Sequence, residues 1–453
     1  MCGILGYVAL ARPARGPALR AALDEMNYRG PDARGAYLAP GRDRSVTRPH
    51  ATDNASGRIA DPLLFDPGLP ENEVLASWPD GPAVLFGHLR LAIIDLHERS
   101  NQPMLRGALA LVFNGEIYNY IELRSELAQL GHKFVTNGDS EVILAAYEQW
   151  GQDCVHRLRG MFAIALHDRA VGTLWLARDR FAIKPLYVAL RPGVLAFASE
   201  AHALPVLLRE TAQANSRALF HLLAHSCYAF DGESFYRGVE QLLPGEDMLV
   251  DLATLTGQRR RYYDLRQIVP ALEMLPATND TVESFRATFD NALRIHLRSD
   301  VPLGVGLSGG LDSSAILGTI ASHCMQGGAE AGATPNTELL QRVVAFSSVF
   351  TDADADEGRF IRAMLDYTGI PGRSVTPEFE PLLEKLPALC RAHDSPLSGL
   401  SLLVQHSVMQ LAKSCGVTVV INGQGGDELL CGYLRSIMYF ALGQLKRHPL
   451  QGI

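Results

Sequence analysis

The chain has 453 residues, 47% of them apolar and 20% charged, which is enough for two or three domains with cores of their own. A formal charge of −8 excludes a general attraction to nucleic acid or anionic lipid, but not a phosphorylated ligand held by local donors. The cysteines at 2, 154, 227, 324, 390, 415 and 431 form neither a zinc-type pair nor a disulfide framework; with no basic leader and no long apolar run, they point to a cytoplasmic protein without a membrane span.

In chain order, Ile4–Leu10 reads as a strand and Ala18–Met26 as a helix. Residues 40–82 are rich in Pro, Gly, Asp and Arg and read as an inserted surface loop of low order. From Val84 to Phe197 strand-like runs (VLFGHLRLAII, LALVFNG, MFAIALHD, TLWLARD, VLAFAS) alternate with helical blocks at Ile121–Leu130 and Glu141–Trp150. That mixture predicts an α+β unit with helices outside layered sheets. A strand pair over Glu246–Leu252 and Gly257–Tyr263 closes it, giving a first domain over 1–265 and a linker over 266–282. Beyond it, Phe285, Phe289, Leu293 and Leu297 recur at helical spacing. Short apolar runs (PLGVGL, RVVAFSSVF, VTVVI) then alternate with helices, which predicts an α/β doubly wound parallel sheet over 283–453. Cys324, Cys390, Cys415 and Cys431 read as packing residues.

Cys2 becomes the first residue if the initiator methionine is removed. Its own α-amine, with an ordinary pKa of about 8, could then take the proton from its thiol. Read alone, Cys2 could equally be an early strand residue. CGILGYV, RGPD (29–32), GHLRLAIID (87–95), NQPM (101–104), FNGEIYN (113–119), GDSEVIL (138–144), GMFAIALHD (160–168) and RDRFAIKPLY (178–187) follow one another in order. This series resembles the glutaminase domain of class II, N-terminal-nucleophile (Ntn hydrolase) amidotransferases, specifically the asparagine-synthetase branch. The resemblance covers residues 1–39 and 83–265, and implies αββα layers with Cys2 as nucleophile. It implies that the Asn114 side chain and the Gly115 N–H form an oxyanion hole. It also implies a glutamine pocket of Arg90, Leu91, Ala92, Ile93, Ile94, Asn114, Gly115, Glu116 and Asp139. One arginine and two acids match the charges of a free amino acid.

SGGLDSS (308–314) follows an apolar strand and opens a helix, so its glycines expose backbone N–H groups where a helix dipole favours an anion. It lacks the lysine of a GxxxxGK[ST] loop and carries Asp312, which a phosphate tolerates only with a cation between them; Mg²⁺ follows. The loop is similar to the pyrophosphate (PP) loop of ATP pyrophosphatases. That likeness implies ATP contacts from Leu307, Ser308, Gly309, Gly310, Asp312, Ser313, Ser314, Ser348, Asn422 and Gly423. In NGQGGDE (422–428) it implies a metal-binding Asp427 that joins Asp312, and an adenylation position held by Gln424, where many members carry glutamate.

Together these imply an ATP- and Mg²⁺-using ligase that transfers glutamine-derived ammonia to a carboxylate, aspartate by default, with a homodimer among the assemblies allowed. HDSPLSGLSLL (393–403) differs from the TTIRAS pattern of the aspartate-using enzymes. The acceptor therefore stays open, as does an enzyme of secondary or polysaccharide metabolism that amidates or cyclises another carboxylate. The chain ends at Ile453, where members of the family usually run on. An incomplete synthetase half is expected, which keeps a glutaminase and nucleotide-binding regulator without synthetase activity in view.

Overall fold

The computed structural model describes residues 1–43, 63–66, 70–228, 231–269, 278–326, 343–350, 357–378, 383–397 and 399–447. These fall into two units, Met1–Pro276 with Pro387–Pro396, and Ala277–Leu386 with Leu397–Ile453.

The first unit is built on two antiparallel sheets. One has seven strands in the spatial order Glu240–Gln241, Tyr187–Arg191, Val194–Ala198, Gly3–Ala9, Ala83–Arg90, Ala33–Pro40 and Leu63–Phe65. The other has six, in the order Thr256–Arg261, Glu246–Asp251, Thr173–Arg178, Gly160–Asp168, Leu109–Ile117 and Met104–Arg106. Side chains alternate between faces along a strand, and here both faces are covered. Ile4 and Val8 join Phe86, Ala110, Val112, Ala163, Ala165, Leu174 and Leu176 in a core between the sheets. Leu5, Tyr7 and Ala9 instead meet Leu19, Leu23, Leu204 and Leu207 of the helices Leu19–Glu25 and Ala203–Leu208. On the far side Leu109, Leu111, Phe113, Ile164 and Trp175 pack on the helices Tyr120–Gln129 and Ser140–Trp150. The order helix, sheet, sheet, helix is the layered α+β arrangement expected, and burial on both faces explains why these strands read as unbroken apolar runs.

The 40–82 stretch is more ordered than its composition predicts. Leu63–Phe65 pairs with Leu38–Ala36 as an edge strand, Glu71–Ala76 is helical, and Val74 and Trp78 are core residues. Those two apolar anchors, hidden among Pro, Gly and Arg, outweigh the local turn signals; residues 44–62 and 67–69 lie outside the described residues. Of the segment expected as a linker, Leu265–Ile268 forms a short helix, and a capping box at Thr278 and Thr281 starts the helix Asn279–His296. Residues 270–277 between them are not among those described.

The second unit holds a parallel sheet with strand order Gly372–Val375, Val343–Ser348, Leu303–Gly306 and Val419–Ile421. Helices Asn279–His296, Leu311–Gln326 and Gly358–Thr368 supply the core of one face around Leu293, Leu317, Ile320 and Ile361. Helix Leu400–Ser414 covers Phe346 on the other with Val408 and Ala412. Helices on two faces of a parallel sheet are the doubly wound arrangement expected. The chain leaves Leu303–Gly306 in one direction and returns beside it with Val419–Ile421, so the switch point lies between those strands, where such sheets open a ligand crevice. Helix Leu434–Arg447 leaves Leu434, Ile437, Tyr439 and Phe440 exposed. Two cysteine readings fail: Cys415 and Cys431 are exposed rather than packed, whereas Cys154 is buried. Among the described residues no helix is long and apolar enough to cross a membrane.

Candidate active sites

Cys2 precedes the first residue of a central strand, whose register sets Gly3 opposite Leu89. The neighbouring strand ends at Arg90, so Leu91 lies beside the thiol: its N–H donates to Cys2 Sγ at 3.3 Å, and the thiol approaches its carbonyl at 3.6 Å. Burial pushes the Cys2 thiol up, with the Leu91 N–H opposing, so at rest it is a thiol rather than a thiolate. The Met1 ammonium, one residue before it, is pulled down to about 5, chiefly by burial.

Asn114 and Gly115 lie within the strand Leu109–Ile117. The Asn114 side chain is fully buried, and neither its Nδ2 nor its Oδ1 has a hydrogen-bond partner. An unpaired buried amide costs about 1–3 kcal/mol, so a group of this kind persists where a ligand completes it. Gly115 admits no side chain, since a Cβ would lie 2.1 Å from the Met161 carbonyl oxygen.

Glu116 and Asp139 are buried together. Burial and the charge of Asp139 push Glu116 up to about 7, with Lys184 opposing. Burial raises Asp139 to about 6 against the N–H of Ile117, which donates to its Oδ2 at 2.9 Å. The terminal amine, Cys2, Glu116, Asp139 and Lys184 feel one another's charge and so form one constellation. Arg90 is buried, and its guanidinium donates to the carbonyls of Asp95 and His97 and, at 2.7 Å, to Asn101 Oδ1. It therefore stiffens the 91–101 loop as well as offering a cation. Leu91, Ala92, Ile93 and Ile94 of that loop are half-buried, and the Ala92 N–H is held by Asp32 Oδ2 at 2.8 Å.

Sequence reasoning quoted the motif around Lys184 without assigning it a role. Its turn is built by Asp179, whose carboxylate accepts the N–H groups of Phe162, Phe181, Ile183 and Lys184 at 2.9–3.2 Å. The buried lysine is held down by burial and up by Glu116. The available signal was a cation sealed in a run whose other polar residues organise the turn.

In the second unit, residues 307–314 follow the central strand. Leu307 is buried and its N–H donates to the Phe346 carbonyl, anchoring the loop. Gly309 takes a left-handed φ of +90°, which favours glycine. Ser308 Oγ and Ser313 Oγ are 3.1 Å apart, the Gly310 N–H donates to Ser308 Oγ, and Ser314 begins the helical bonding to Gly310. Ser348 closes the adjacent strand. From the other side of the switch point, Gly423 and Gly426 approach Asp312: a Cβ at 426 would lie 2.3 Å from Asp312 Oδ2, and one at 423 would lie 3.0 Å from its Cβ. Asn422 Oδ1 accepts the Gln424 N–H at 3.2 Å, and both side chains are exposed. Tyr433 is pushed up by its hydrogen bond to Glu428 and by the charges of Glu428, Asp427 and Asp312, so both candidate metal carboxylates border one region. Glycines that let the loop close on the Asp312 carboxylate, beside an oxygen donor set, fit a magnesium-bridged phosphate.

Residues 73–263 match the family model described as a glutamine amidotransferase domain, and residues 284–447 that of asparagine synthase. A Mycobacterium tuberculosis protein provisionally named a glutamine-hydrolysing asparagine synthetase is 33% identical over 96% of this chain and 60% of its own length. The Gibberella zeae protein named amidase chry2 is 28% identical over 96% of this chain and 59% of its own. Asparagine synthetase 3 of Bacillus subtilis is 30% identical over 77% of this chain and 56% of its own. The chain thus spans about 60% of the length of the curated relatives it matches.

Proposed function

The chain belongs to the glutamine-hydrolysing asparagine synthetase family, and on that premise we propose that it releases ammonia from glutamine at Cys2 and joins it to a carboxylate activated by ATP. The observation that carries the first half is the buried, unpartnered Asn114 amide on the strand Leu109–Ile117, which also places Glu116 in the same constellation as Cys2. With Met1 removed, the Cys2 amine takes the thiol proton as sulfur attacks the side-chain amide. Asn114 Nδ2 and the Gly115 N–H receive the oxyanion, and the amine returns its proton to the leaving ammonia; water then hydrolyses the glutamyl thioester left on Cys2, releasing glutamate and the free thiol. Arg90 holds the substrate carboxylate; Glu116 and Asp139 hold its ammonium.

In the second half, Ser308, Gly309, Gly310, Ser313 and Ser314 close around the phosphates, with Leu307, Ser348, Asn422 and Gly423 toward the nucleoside and Gln424 at the adenylation position. Asp312 and Asp427 would hold Mg²⁺, which neutralises charge on the departing pyrophosphate. A carboxylate is a poor electrophile and its acyl adenylate a good one, so ATP cleavage precedes amide formation. The acceptor is aspartate in the first reading. A second reading, another carboxylate, is favoured by the divergent 393–403 stretch and by a relative named as an amidase.

Incubation with glutamine, MgATP and a panel of carboxylates, following glutamate, pyrophosphate and amide, tests both. Pyrophosphate dependent on aspartate supports the first reading, and pyrophosphate dependent only on another acid the second. Glutamate with no pyrophosphate under any condition overturns both and leaves a nucleotide-binding regulator.

Two further expectations concern the first site. Asn114→Ala lowers kcat for glutamine hydrolysis by about 10²–10³-fold with little change in KM, since an oxyanion donor acts in the transition state; a kcat within threefold of wild type in steady-state glutamate assays would refute the assignment. The pH dependence follows from Glu116 and Asp139, both raised. Below about 6 both are neutral and cannot hold an ammonium, so KM for glutamine should fall as pH rises from 6 to 8. Folding has the opposite sign: a buried carboxyl of raised pKa binds more protons folded than unfolded. Its contribution is therefore present in full below the ordinary carboxylate range and lost as pH rises through 6–7. Thermal melts without glutamine should show that loss, and Glu116→Gln should flatten both curves.

A further inference from the structure

Arg29 Nε donates to the Cys2 carbonyl at 3.0 Å. Arg29 is buried and needs a counter-ion, which Glu200, also buried, supplies through a direct ion pair. Glu200 also accepts the Tyr28 hydroxyl at 2.6 Å. It stands in a turn, residues 199–202, that holds the nucleophile strand a second time: Ser199 Oγ accepts the Ile4 N–H at 3.0 Å, and the Ser199 N–H donates to the Ile4 carbonyl at 2.9 Å. That turn grips both Cys2, through Arg29, and Ile4, through Ser199.

The turn is fixed in its own right by Asp394. One carboxylate oxygen of Asp394 accepts the Ala201 N–H; the other accepts the His202 N–H at 3.0 Å and lies 2.8 Å from His202 Nδ1. Burial pulls His202 down, but the hydrogen bond to Asp394 and the charges of Asp394 and Glu200 leave it raised. The Arg29 guanidinium and the His202 ring thus face the Glu200 and Asp394 carboxylates. Glu200, His202 and Asp394 have the spacing of a metal site, yet each carboxylate oxygen already receives a protein N–H or O–H, so the cluster is an ion network rather than a cation cage. Asp394 belongs to Pro387–Pro396, which groups with the first unit although the chain on both sides of it belongs to the second. The carboxylate reads in sequence as part of the acceptor region, and the structure spends both its oxygens on residues 201 and 202.

We propose that Asp394 is a positioning residue for the glutaminase reaction: through the 199–202 turn, Glu200 and Arg29 it holds the backbone of Cys2, and so sets the alignment of the thiol from a segment remote in sequence. This rests on the reading of Cys2 as the nucleophile. Glutamine itself is held elsewhere, by Arg90, Glu116, Asp139 and the 91–94 loop, so the effect falls on kcat and not on KM.

The test uses the full chain. Asp394→Asn, whose folding is checked by its melting curve, should lower kcat for glutamine hydrolysis by about tenfold or more with KM within about threefold, as a nucleophile displaced by a fraction of an ångström would. His202→Gln is the second variant in case the first folds poorly, and should move kcat in the same direction. Because the residues act as one chain, Asp394→Asn should add little to Arg29→Gln, whereas independent structural effects would multiply. The alkylation rate of Cys2 by iodoacetamide, read by peptide mass spectrometry, reports thiol exposure without glutamine and should change in the same variants. A folded Asp394→Asn protein with wild-type kcat and wild-type alkylation, or multiplicative effects with Arg29→Gln, overturns the proposal. Undiminished glutamine hydrolysis in Cys2→Ala would instead overturn the nucleophile assignment, with the alkylation comparison still deciding whether Asp394 positions Cys2.

Discussion

Replacing Cys2 by alanine should reduce glutamate release from glutamine by on the order of 10⁴-fold or more, to the level of solvent hydrolysis aided by binding alone. Cys154 cannot stand in, since it is sealed in the core around Trp175 and its thiol is pushed far up by burial, and Cys415 and Cys431 belong to the second unit. The same variant, supplied with ammonium chloride in place of glutamine, should keep ATP-dependent pyrophosphate release and amide formation, because the residues proposed for that chemistry lie in the other unit. Mass spectrometry of the wild-type protein should find Met1 absent, since the proton acceptor is the amine of Cys2 itself. A protein that retains Met1 and still turns glutamine over would need a different base.

How much of this was legible before folding depends on the kind of signal. The strands of the first unit are covered on both sides, so they stand out as apolar runs with Gly and Pro between them, and the paired helices follow from 3.6-residue spacing. The strand Ala33–Pro40, by contrast, contains Arg34, Gly35 and Pro40, and only pairing with Ala83–Arg90 makes it a strand. Tertiary pairing overrides local preference there. The candidate site residues came from motif order, at Cys2, Asn114, Gly115, SGGLDSS and NGQGGDE. What sequence could not give was the state of each group. Glu116 and Asp139 look like ordinary acids until burial, joined at Glu116 by the charge of Asp139, pushes them up to about 7 and about 6. Asp394 was invisible for a different reason: its partners are 192 and 193 positions away, and no local pattern announces a contact of that range.

In the second unit, Asp312→Asn should lower pyrophosphate release by about 10²–10³-fold, the scale seen when one group that stabilises transition-state charge is removed. The argument turns on sign. A carboxylate pressed against the Gly423–Gly426 loop, at the switch point of a parallel sheet, faces the place where the anionic ligand is expected. Two like charges at about 4 Å repel by about 4 kcal/mol at an effective dielectric constant near 20, so Asp312 would oppose ATP unless a divalent cation stood between them. The asparagine variant removes both the repulsion and the cation ligand. It should therefore bind ATP in EDTA at least as tightly as wild type, gain much less affinity when Mg²⁺ is added, and lose turnover. Glutamine hydrolysis, assayed without ATP, should be unaffected. Gly426→Ala approaches the same atoms by sterics, since its Cβ would lie 2.3 Å from Asp312 Oδ2 and must displace the carboxylate. If calorimetry with and without Mg²⁺ found the Asp312→Asn protein indistinguishable from wild type, or if pyrophosphate release persisted unchanged, Asp312 would be a helix-start residue with no part in phosphate chemistry. The cation would then have to be held by Asp427 and its neighbours alone.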